Sequence, residues 1–261
     1  MFNAIKKIIP NTLTCLNLVS GCVATYFAFH GEAKMALLWI IVGAAFDFFD
    51  GMSARLLNVS SPIGKELDSL ADDVTFGVAP ATIIFAQLSV MEYPAVMECL
   101  RPILPFFAYV VAAFSALRLA KFNLDERQTT SFIGLPTPAN ALFWGSLLAT
   151  RTDWVESPPY MVFVLLAMIC LSSWLLVCEM PMFALKFKHW GWAGNEIKYS
   201  FALLSLAAIV VFGPLESFWA IIVAYIAVSA FKMATGKYGA HRRPNSQRRQ
   251  LIEGRTDAPS H

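Results

Sequence analysis

The chain has 261 residues, of which 57% are hydrophobic and 15% are charged, and its mean hydropathy is +0.57. This composition excludes a soluble domain of the same length, because such a domain keeps a charged surface around its core. The formal net charge of +2 says little by itself, and we expect no nucleic-acid partner. The sequence predicts an all-α integral membrane protein.

Apolar runs of membrane-spanning length predict about eight transmembrane helices. In chain order they lie near residues 10–30, 34–56, 66–91, 103–122, 136–150, 158–178, 197–213 and 216–235. We expect residues 1–235 to form a single polytopic membrane domain whose catalytic helices lie within 8–145. Residues 236–261 are predicted to form a basic, disordered cytoplasmic tail.

The distribution of lysine and arginine predicts that both chain ends lie in the cytoplasm. If the chain starts there, all but three of its 20 Lys and Arg residues fall in cytoplasmic segments. The outer loops then hold only Lys34, Arg101 and Arg151. Such a bias follows the positive-inside rule and requires an even number of spans.

Polar residues open the first predicted span. Pro10 is followed by Asn11, Thr12 and Thr14, and Asn17 comes a turn later. A proline near a helix start, followed by Asn and Thr, is ordinary capping chemistry. Local structure alone can therefore explain these side chains.

The second and third spans carry four aspartates in an otherwise apolar stretch. Asp47 and Asp50 are three residues apart and Asp68 and Asp72 are four apart, so each pair shares one helix face. Carboxylates that face each other repel and are costly to desolvate. Hard oxygen ligands at helical spacing suit Mg²⁺ or Mn²⁺ between them. A structural or proton-relaying role explains a single intramembrane aspartate better than it explains four.

The residues between the two pairs suit a negatively charged ligand. Gly51 and Ala54 have almost no side chain, so a phosphate or a flat base can approach the backbone there. Arg55 can make bidentate contacts to a phosphate. Gly64 lets the third span begin close to the ligand. Further along, Gly77 and Pro80 predict a kink or a thin section in that span.

Two cations end the fourth span. Arg118 and Lys121 are one turn apart on one helix face, where a topology anchor would explain them. The functional alternative is a cationic pocket for a substrate carboxylate or phosphate. A Gly-Leu-Pro-Thr-Pro turn over 134–138 leads into the fifth span. Beyond it, the spans are interpreted as scaffold, lipid contact or dimer surface, and the five cysteines as small buried hydrophobic residues.

The letters D-x2-D-G-x2-A-R-x8-G-x3-D-x3-D, complete from Asp47 to Asp72, resemble the signature of the CDP-alcohol phosphatidyltransferase family. The resemblance extends roughly over residues 8–145. There the Phe-Gly-Val-Ala-Pro, Leu-Arg-Leu-Ala-Lys-Phe-Asn and Gly-Leu-Pro-Thr-Pro blocks are similar to the bacterial membrane-embedded phosphatidylserine synthases. The resemblance implies transfer of the phosphatidyl group of CDP-diacylglycerol to the hydroxyl of L-serine, with release of CMP.

The resemblance also implies a role for each site residue. One or two Mg²⁺ or Mn²⁺ ions would be held by Asp47, Asp50, Asp68 and Asp72. Asp72 would also be the general base that removes the hydroxyl proton. Nucleotide contacts are expected from Gly51, Ala54, Arg55, Gly64, Asn11 and Thr14, with Asn17 as a further candidate. The serine carboxylate is expected at Arg118 and Lys121, and no role is assigned to Asp73.

Family analogy further implies the setting of the enzyme. We expect a homodimer among membrane lipids, in the bacterial inner membrane, with the active site facing the cytoplasm. CDP-diacylglycerol and L-serine are the expected substrates.

Other functions are compatible with parts of this pattern. A different acceptor, such as glycerol 3-phosphate, inositol phosphate or choline, would use the same aspartates. A membrane prenyltransferase also uses two Asp-rich motifs with Mg²⁺, but these usually lie far apart in the chain. A cation transporter would use intramembrane carboxylates, but it predicts an internal repeat, and residues 140–235 hold no second carboxylate cluster.

Overall fold

The computed structural model describes residues 2–59, 61–124, 132–150, 158–182 and 196–235, so the predicted tail over 236–261 lies outside the described residues. The α-helices are α1 (Phe2–Phe29), α2 (Ala33–Leu56), α3 (Pro62–Asp73), α4 (Ala79–Val90), α5 (Val110–Leu124), α6 (Thr137–Thr150), α7 (Met161–Val177), α8 (Glu196–Phe212) and α9 (Pro214–Ala234). A π turn (Val74–Val78) joins α3 to α4, and 3-10 turns cover Glu98–Leu100 and Leu104–Tyr109. Two-residue strands, β1 (Phe132–Ile133) and β2 (Pro181–Met182), pair antiparallel.

The predicted all-α membrane architecture is confirmed. Among the described residues, five helical segments are long and apolar enough to cross a membrane: Ile8–Phe29, Ala33–Leu56, Pro62–Val90, Leu104–Leu124 and Leu215–Ala234. The apolar helices Met161–Val177 and Tyr199–Phe212 are shorter. Each predicted span coincides with a helical segment, but the number of eight transmembrane helices stays a prediction.

Helix α1 begins earlier than the sequence predicts. It starts at Phe2, so Pro10 lies inside the helix, and the interpretation of Pro10 and Asn11 as a helix start is wrong. The helix continues through Pro10, although proline itself removes one backbone hydrogen bond. Of the polar residues that follow Pro10, Thr14 and Asn17 therefore bond to other helices instead of capping a helix end, whereas Thr12 bonds within α1.

The π turn lies where the sequence predicts a kink in the third span. The Ala79 N–H donates to the carbonyl of Val74, five residues back, and Pro80 has no N–H to donate. A wider turn accommodates that missing donor without ending the helix. Gly77 lets α5 approach, since a β-carbon there would lie 3.0 Å from Ser115 Cβ.

Glycines on α1 and α2 let these helices pack closely against the π turn. The contact lies about one helical turn away from the aspartates. A β-carbon on Gly43 would lie 2.6 Å from Thr75 Cγ2 and 2.9 Å from Asn17 Oδ1. One on Gly21 would lie 2.8 Å from the backbone Cα of Thr75. The Thr75 hydroxyl donates to the Asn17 carbonyl oxygen at 3.0 Å. These contacts fix the positions of α1, α2 and the π turn relative to one another, and thereby those of α2 and α3, which carry the motif.

Replacing Gly43 by alanine is expected to destabilise the protein by about 1–3 kcal/mol, because overpacking of a close helix contact costs roughly this much. The measurement is the midpoint of thermal unfolding in detergent. Gly51→Ala is the matched control, since a β-carbon there would meet only the Arg55 guanidinium nitrogens, at 3.8 and 3.9 Å. Equal unfolding midpoints for the two variants would contradict the close contact at Gly43.

The main core lies between α1, α2, α4, α5, α6 and α7, and the outer faces are apolar as well. Trp144 on α6 is buried and donates from Nε1 to Ser172 Oγ on α7 at 3.1 Å. By contrast, Val210 on α8 is 77% exposed, as expected for a side chain that faces lipid. Four cysteines are exposed, namely Cys15, Cys22, Cys99 and Cys170, so the prediction that they are buried is wrong. An apolar residue in a membrane helix suits the lipid face as well as the core.

Candidate active site

The ends of α2 and α3 bring three of the four motif aspartates together. Asp47, Asp50 and Asp68 each offer a carboxylate oxygen within 4.8 Å of the other two. Asp50 is buried, and Asp68 Oδ1 is buried with no hydrogen-bond partner in the described part of the chain. No described Lys or Arg forms an ion pair with these three. This set of hard oxygen ligands fits Mg²⁺ or Mn²⁺.

A short connection between α2 and α3 produces this arrangement. Asn58 adopts a left-handed conformation with φ of 51°, which Asn tolerates better than most residues. Ser61 then caps α3 by accepting the Gly64 N–H at 3.0 Å, and Pro62 occupies the first turn. The chain therefore reverses within a few residues, and Asp50 and Asp68 meet near the two helix ends.

Helix α1 supplies a hydrogen-bond donor to each pair of aspartates. Thr14 Oγ1 donates to Asp50 Oδ2 at 2.7 Å, and Asn17 Nδ2 donates to Asp72 Oδ1 at 3.1 Å. Asp72 is not part of the three-carboxylate group, although the charges of Asp47 and Asp68 act on it. The predicted fourth ligand thus lies beside that group, with one oxygen engaged by Asn17.

A cleft of about 330 Å³ opens beside the carboxylates, with Asp50 and Asp68 in its wall. Five of the six residues predicted to contact a nucleotide line it: Asn11, Thr14, Gly51, Ala54 and Gly64. The small residues create this space, since a β-carbon on Gly64 would lie 3.2 Å from Asn11 Oδ1. Asn17 is not among the lining residues.

One cation, Lys65, lines this cleft, and a second, Arg55, lies next to a lining residue. The guanidinium of Arg55 folds over Gly51, and its two terminal nitrogens lie within 4 Å of where a Gly51 β-carbon would be. Lys65 lines the cleft and donates to the Asn123 carbonyl at 3.0 Å. Sequence reasoning missed Lys65 as a site residue. Its position three residues before Asp68, on the same face of α3, was the available signal.

The two predicted serine-binding cations lie in different environments. Arg118 is 7% exposed, its Nε has no hydrogen-bond partner in the described part of the chain, and the charge of Asp72 acts on it. Lys121 is exposed. The structure therefore places Arg118, but not Lys121, inside the protein near the carboxylates.

Further buried polar groups lie close to these elements. Asp73 Oδ1 borders Gly77 and is buried without a hydrogen-bond partner among the described residues. Both amide atoms of Asn140 and the hydroxyl of Thr137, near the start of α6, are likewise unpartnered there. Sequence reasoning missed the latter two, although they stand in or beside the Gly-Leu-Pro-Thr-Pro block.

Comparison with known proteins identifies relatives of this chain. The sequence profile of the CDP-alcohol phosphatidyltransferase family matches residues 7–185. A Mycobacterium bovis protein named CDP-diacylglycerol–serine O-phosphatidyltransferase is 30% identical over 247 residues, covering 89% of this chain and 80% of the relative. Proteins of the same name from Bacillus subtilis and Saccharomyces cerevisiae are each 39% identical. Their matches span 130 and 169 residues, covering 50% and 58% of this chain and 69% and 58% of the relatives.

The family match covers more than half of the chain and includes the whole carboxylate motif. The relatives' shared name agrees with the branch that the sequence blocks resemble. The predicted family is thereby confirmed. With its three clustered carboxylates and adjoining cleft, this chain belongs to the CDP-alcohol phosphatidyltransferase family.

Proposed function

We propose that this protein is a CDP-diacylglycerol–serine O-phosphatidyltransferase, which transfers a phosphatidyl group to L-serine and releases CMP. The observation that carries the proposal is the group of three carboxylates beside a cleft lined by the motif's small residues. Relatives from bacteria and yeast that bear this enzyme's name support serine as the acceptor.

The carboxylates suit the divalent metal that such phosphoryl chemistry requires. Asp47, Asp50 and Asp68 would hold Mg²⁺ or Mn²⁺, with Asp72 as a further ligand if two ions bind. The bound metal would neutralise negative charge on the diphosphate and on the departing CMP.

The cleft suits the cytidine diphosphate part of the donor substrate. Gly51, Ala54 and Gly64 leave room for it next to the carboxylates. Lys65 lines the cleft and the Arg55 guanidinium lies beside Gly51 in its wall, so an ammonium and a guanidinium group can contact phosphate oxygens there. The polar side chains of Asn11 and Thr14 line the same space.

Asp72 is proposed as the general base. It accepts the proton of the serine hydroxyl while that oxygen attacks the phosphorus that bears the diacylglycerol. The bond from this phosphorus to the bridging oxygen breaks, and CMP leaves with the bonding electrons. Because Asn17 engages one Asp72 oxygen, the other oxygen is available for this proton.

Arg118 is proposed to bind the serine carboxylate, with Lys121 in an outer position. Replacing Arg118 by alanine is expected to raise the KM for serine by about 10- to 100-fold, which corresponds to the loss of one charged hydrogen bond. The KM for CDP-diacylglycerol should change by less than about threefold. Arg101→Ala is the matched control, since Arg101 pairs with Glu98 at an exposed position in a loop. Equal increases of both KM values in Arg118→Ala would argue against a serine-binding role.

We also propose the topology and assembly that the sequence predicts. The apolar runs predict eight spans, and the distribution of Lys and Arg predicts that both termini and the active site face the cytoplasm. The bacterial inner membrane is proposed by family analogy. Residues 1–235 would form the membrane domain and 236–261 its basic tail. A homodimer rests on family analogy alone.

The proposed function is tested by measuring CMP release from CDP-diacylglycerol by purified protein in detergent with Mg²⁺ or Mn²⁺. L-Serine, glycerol 3-phosphate and inositol phosphate are supplied in turn. Serine-dependent release supports the proposal. Release with another acceptor alone would retain the family chemistry and overturn serine as the substrate. No release with any acceptor, in folded protein that binds metal, would favour a cation transporter.

A further inference from the structure

Asn17 makes a contact that direct binding of substrate does not explain. Its side chain is fully buried, it does not line the cleft, and its Nδ2 donates to Asp72 Oδ1 at 3.1 Å. A nucleotide in the cleft would have no access to this amide. Its partner is the carboxylate proposed as the base.

The contact with Asp72 determines which way round the Asn17 amide lies, since its Oδ1 has no hydrogen-bond partner among the described residues. Its carbonyl oxygen on the backbone accepts the Thr75 hydroxyl at 3.0 Å, which ties α1 to the π turn three residues after Asp72. The side-chain Oδ1 points to the space above Gly43, 2.9 Å from where a β-carbon would be. Turning the amide over would place Oδ1 against a carboxylate oxygen, where two acceptors repel. Only the donor side of the amide can face Asp72.

The same face of α1 also donates a hydrogen bond to the other pair of aspartates. Thr14, three residues before Asn17, donates to Asp50 Oδ2 at 2.7 Å. Both donors are uncharged and buried. They orient carboxylates without neutralising them, so they leave the negative charge in place for a metal or a proton.

We propose that Asn17 is a positioning residue for Asp72, holding Oδ1 so that Oδ2 is the oxygen presented to the acceptor hydroxyl. This inference rests on the proposed function. In the transfer step, the hydroxyl proton moves to Oδ2 while the new O–P bond forms and the bond to CMP breaks. Without the amide, the carboxylate can rotate, and misplacement of a reacting group by about 1 Å can cost about 100-fold in rate.

The test compares Asn17→Leu, which has similar size but no donor, with Thr75→Val, which removes the neighbouring hydroxyl contact and leaves the Asp72 contact. We expect Asn17→Leu to lower kcat about 30- to 100-fold. Asn17→Leu should match Thr75→Val in both KM values, in the midpoint of thermal unfolding and in Mn²⁺ affinity. The Mn²⁺ affinity is measured by electron paramagnetic resonance of free Mn²⁺. Thr75→Val should keep kcat within about threefold of the wild type. Asn17→Asp places a second carboxylate against Asp72, so its kcat should be at least as low as that of Asn17→Leu.

Several outcomes would overturn the inference. If Asn17→Leu keeps more than about a third of the wild-type kcat, the amide does not position the base. If Thr75→Val loses kcat equally, helix packing is responsible. If Asn17→Leu loses Mn²⁺ binding, Asn17 acts on the metal site. Failure of the proposed function looks different, since the wild-type protein would then release no CMP with serine.

Discussion

Replacing Asp72 by asparagine is expected to lower kcat for serine-dependent CMP release by about 10³-fold, within the range that general-base catalysis contributes. Asparagine has the same shape but cannot accept the proton of the acceptor hydroxyl. The contact with Asn17 Nδ2 can persist through the amide oxygen, so the fold should be retained. The measurement is single-turnover release of CMP at saturating CDP-diacylglycerol and serine.

Asp73→Asn is the matched control for this prediction. Asp73 neighbours Asp72 in the chain and carries the same charge, but its Oδ1 borders Gly77, on the side of α5. We expect its kcat to stay within about threefold of the wild type. If Asp73→Asn loses as much activity as Asp72→Asn, the loss reflects the summed negative charge, and the assignment of Asp72 as the base is wrong.

Asp68→Asn is expected to weaken Mn²⁺ binding by about 100-fold or more. Replacing a residue that only supports a metal ligand typically lowers metal affinity 10- to 100-fold. Asp68 is itself one of the three clustered carboxylates, so a larger loss is expected. Its buried Oδ1 has no hydrogen-bond partner among the described residues, so a metal would satisfy it. Titration calorimetry of metal-free protein with Mn²⁺ measures the affinity.

Glu66→Gln supplies the control for the metal prediction, because Glu66 lies on the same helix but is exposed. Removing its charge should leave the Mn²⁺ affinity within about twofold, since exposed charges are screened. Chelation of the metal should abolish CMP release from the wild-type protein, and added Mg²⁺ or Mn²⁺ should restore it. Full activity of Asp68→Asn at low Mn²⁺ concentration would remove Asp68 from the proposed ligand set.

Local patterns in the sequence determine much of this protein. The length of the apolar runs places the helices, because a span needs enough apolar residues to cross the bilayer. The spacing of the aspartates places each pair on one helix face, and small residues between them predict the cleft where Gly51, Ala54 and Gly64 indeed lie. These features depend on residues close together in the chain, so the sequence suffices for them.

The tertiary structure alone decides which partners those residues meet. Thr14 and Asn17 resemble capping or ligand-binding residues in the sequence, but helix packing directs their donors to Asp50 and Asp72. Arg118 and Lys121 share a helix face in the sequence pattern, yet only Arg118 is buried. Helical periodicity sets the direction of a side chain relative to its own helix axis, whereas burial depends on neighbouring helices, and in a membrane an apolar face fits lipid and core alike.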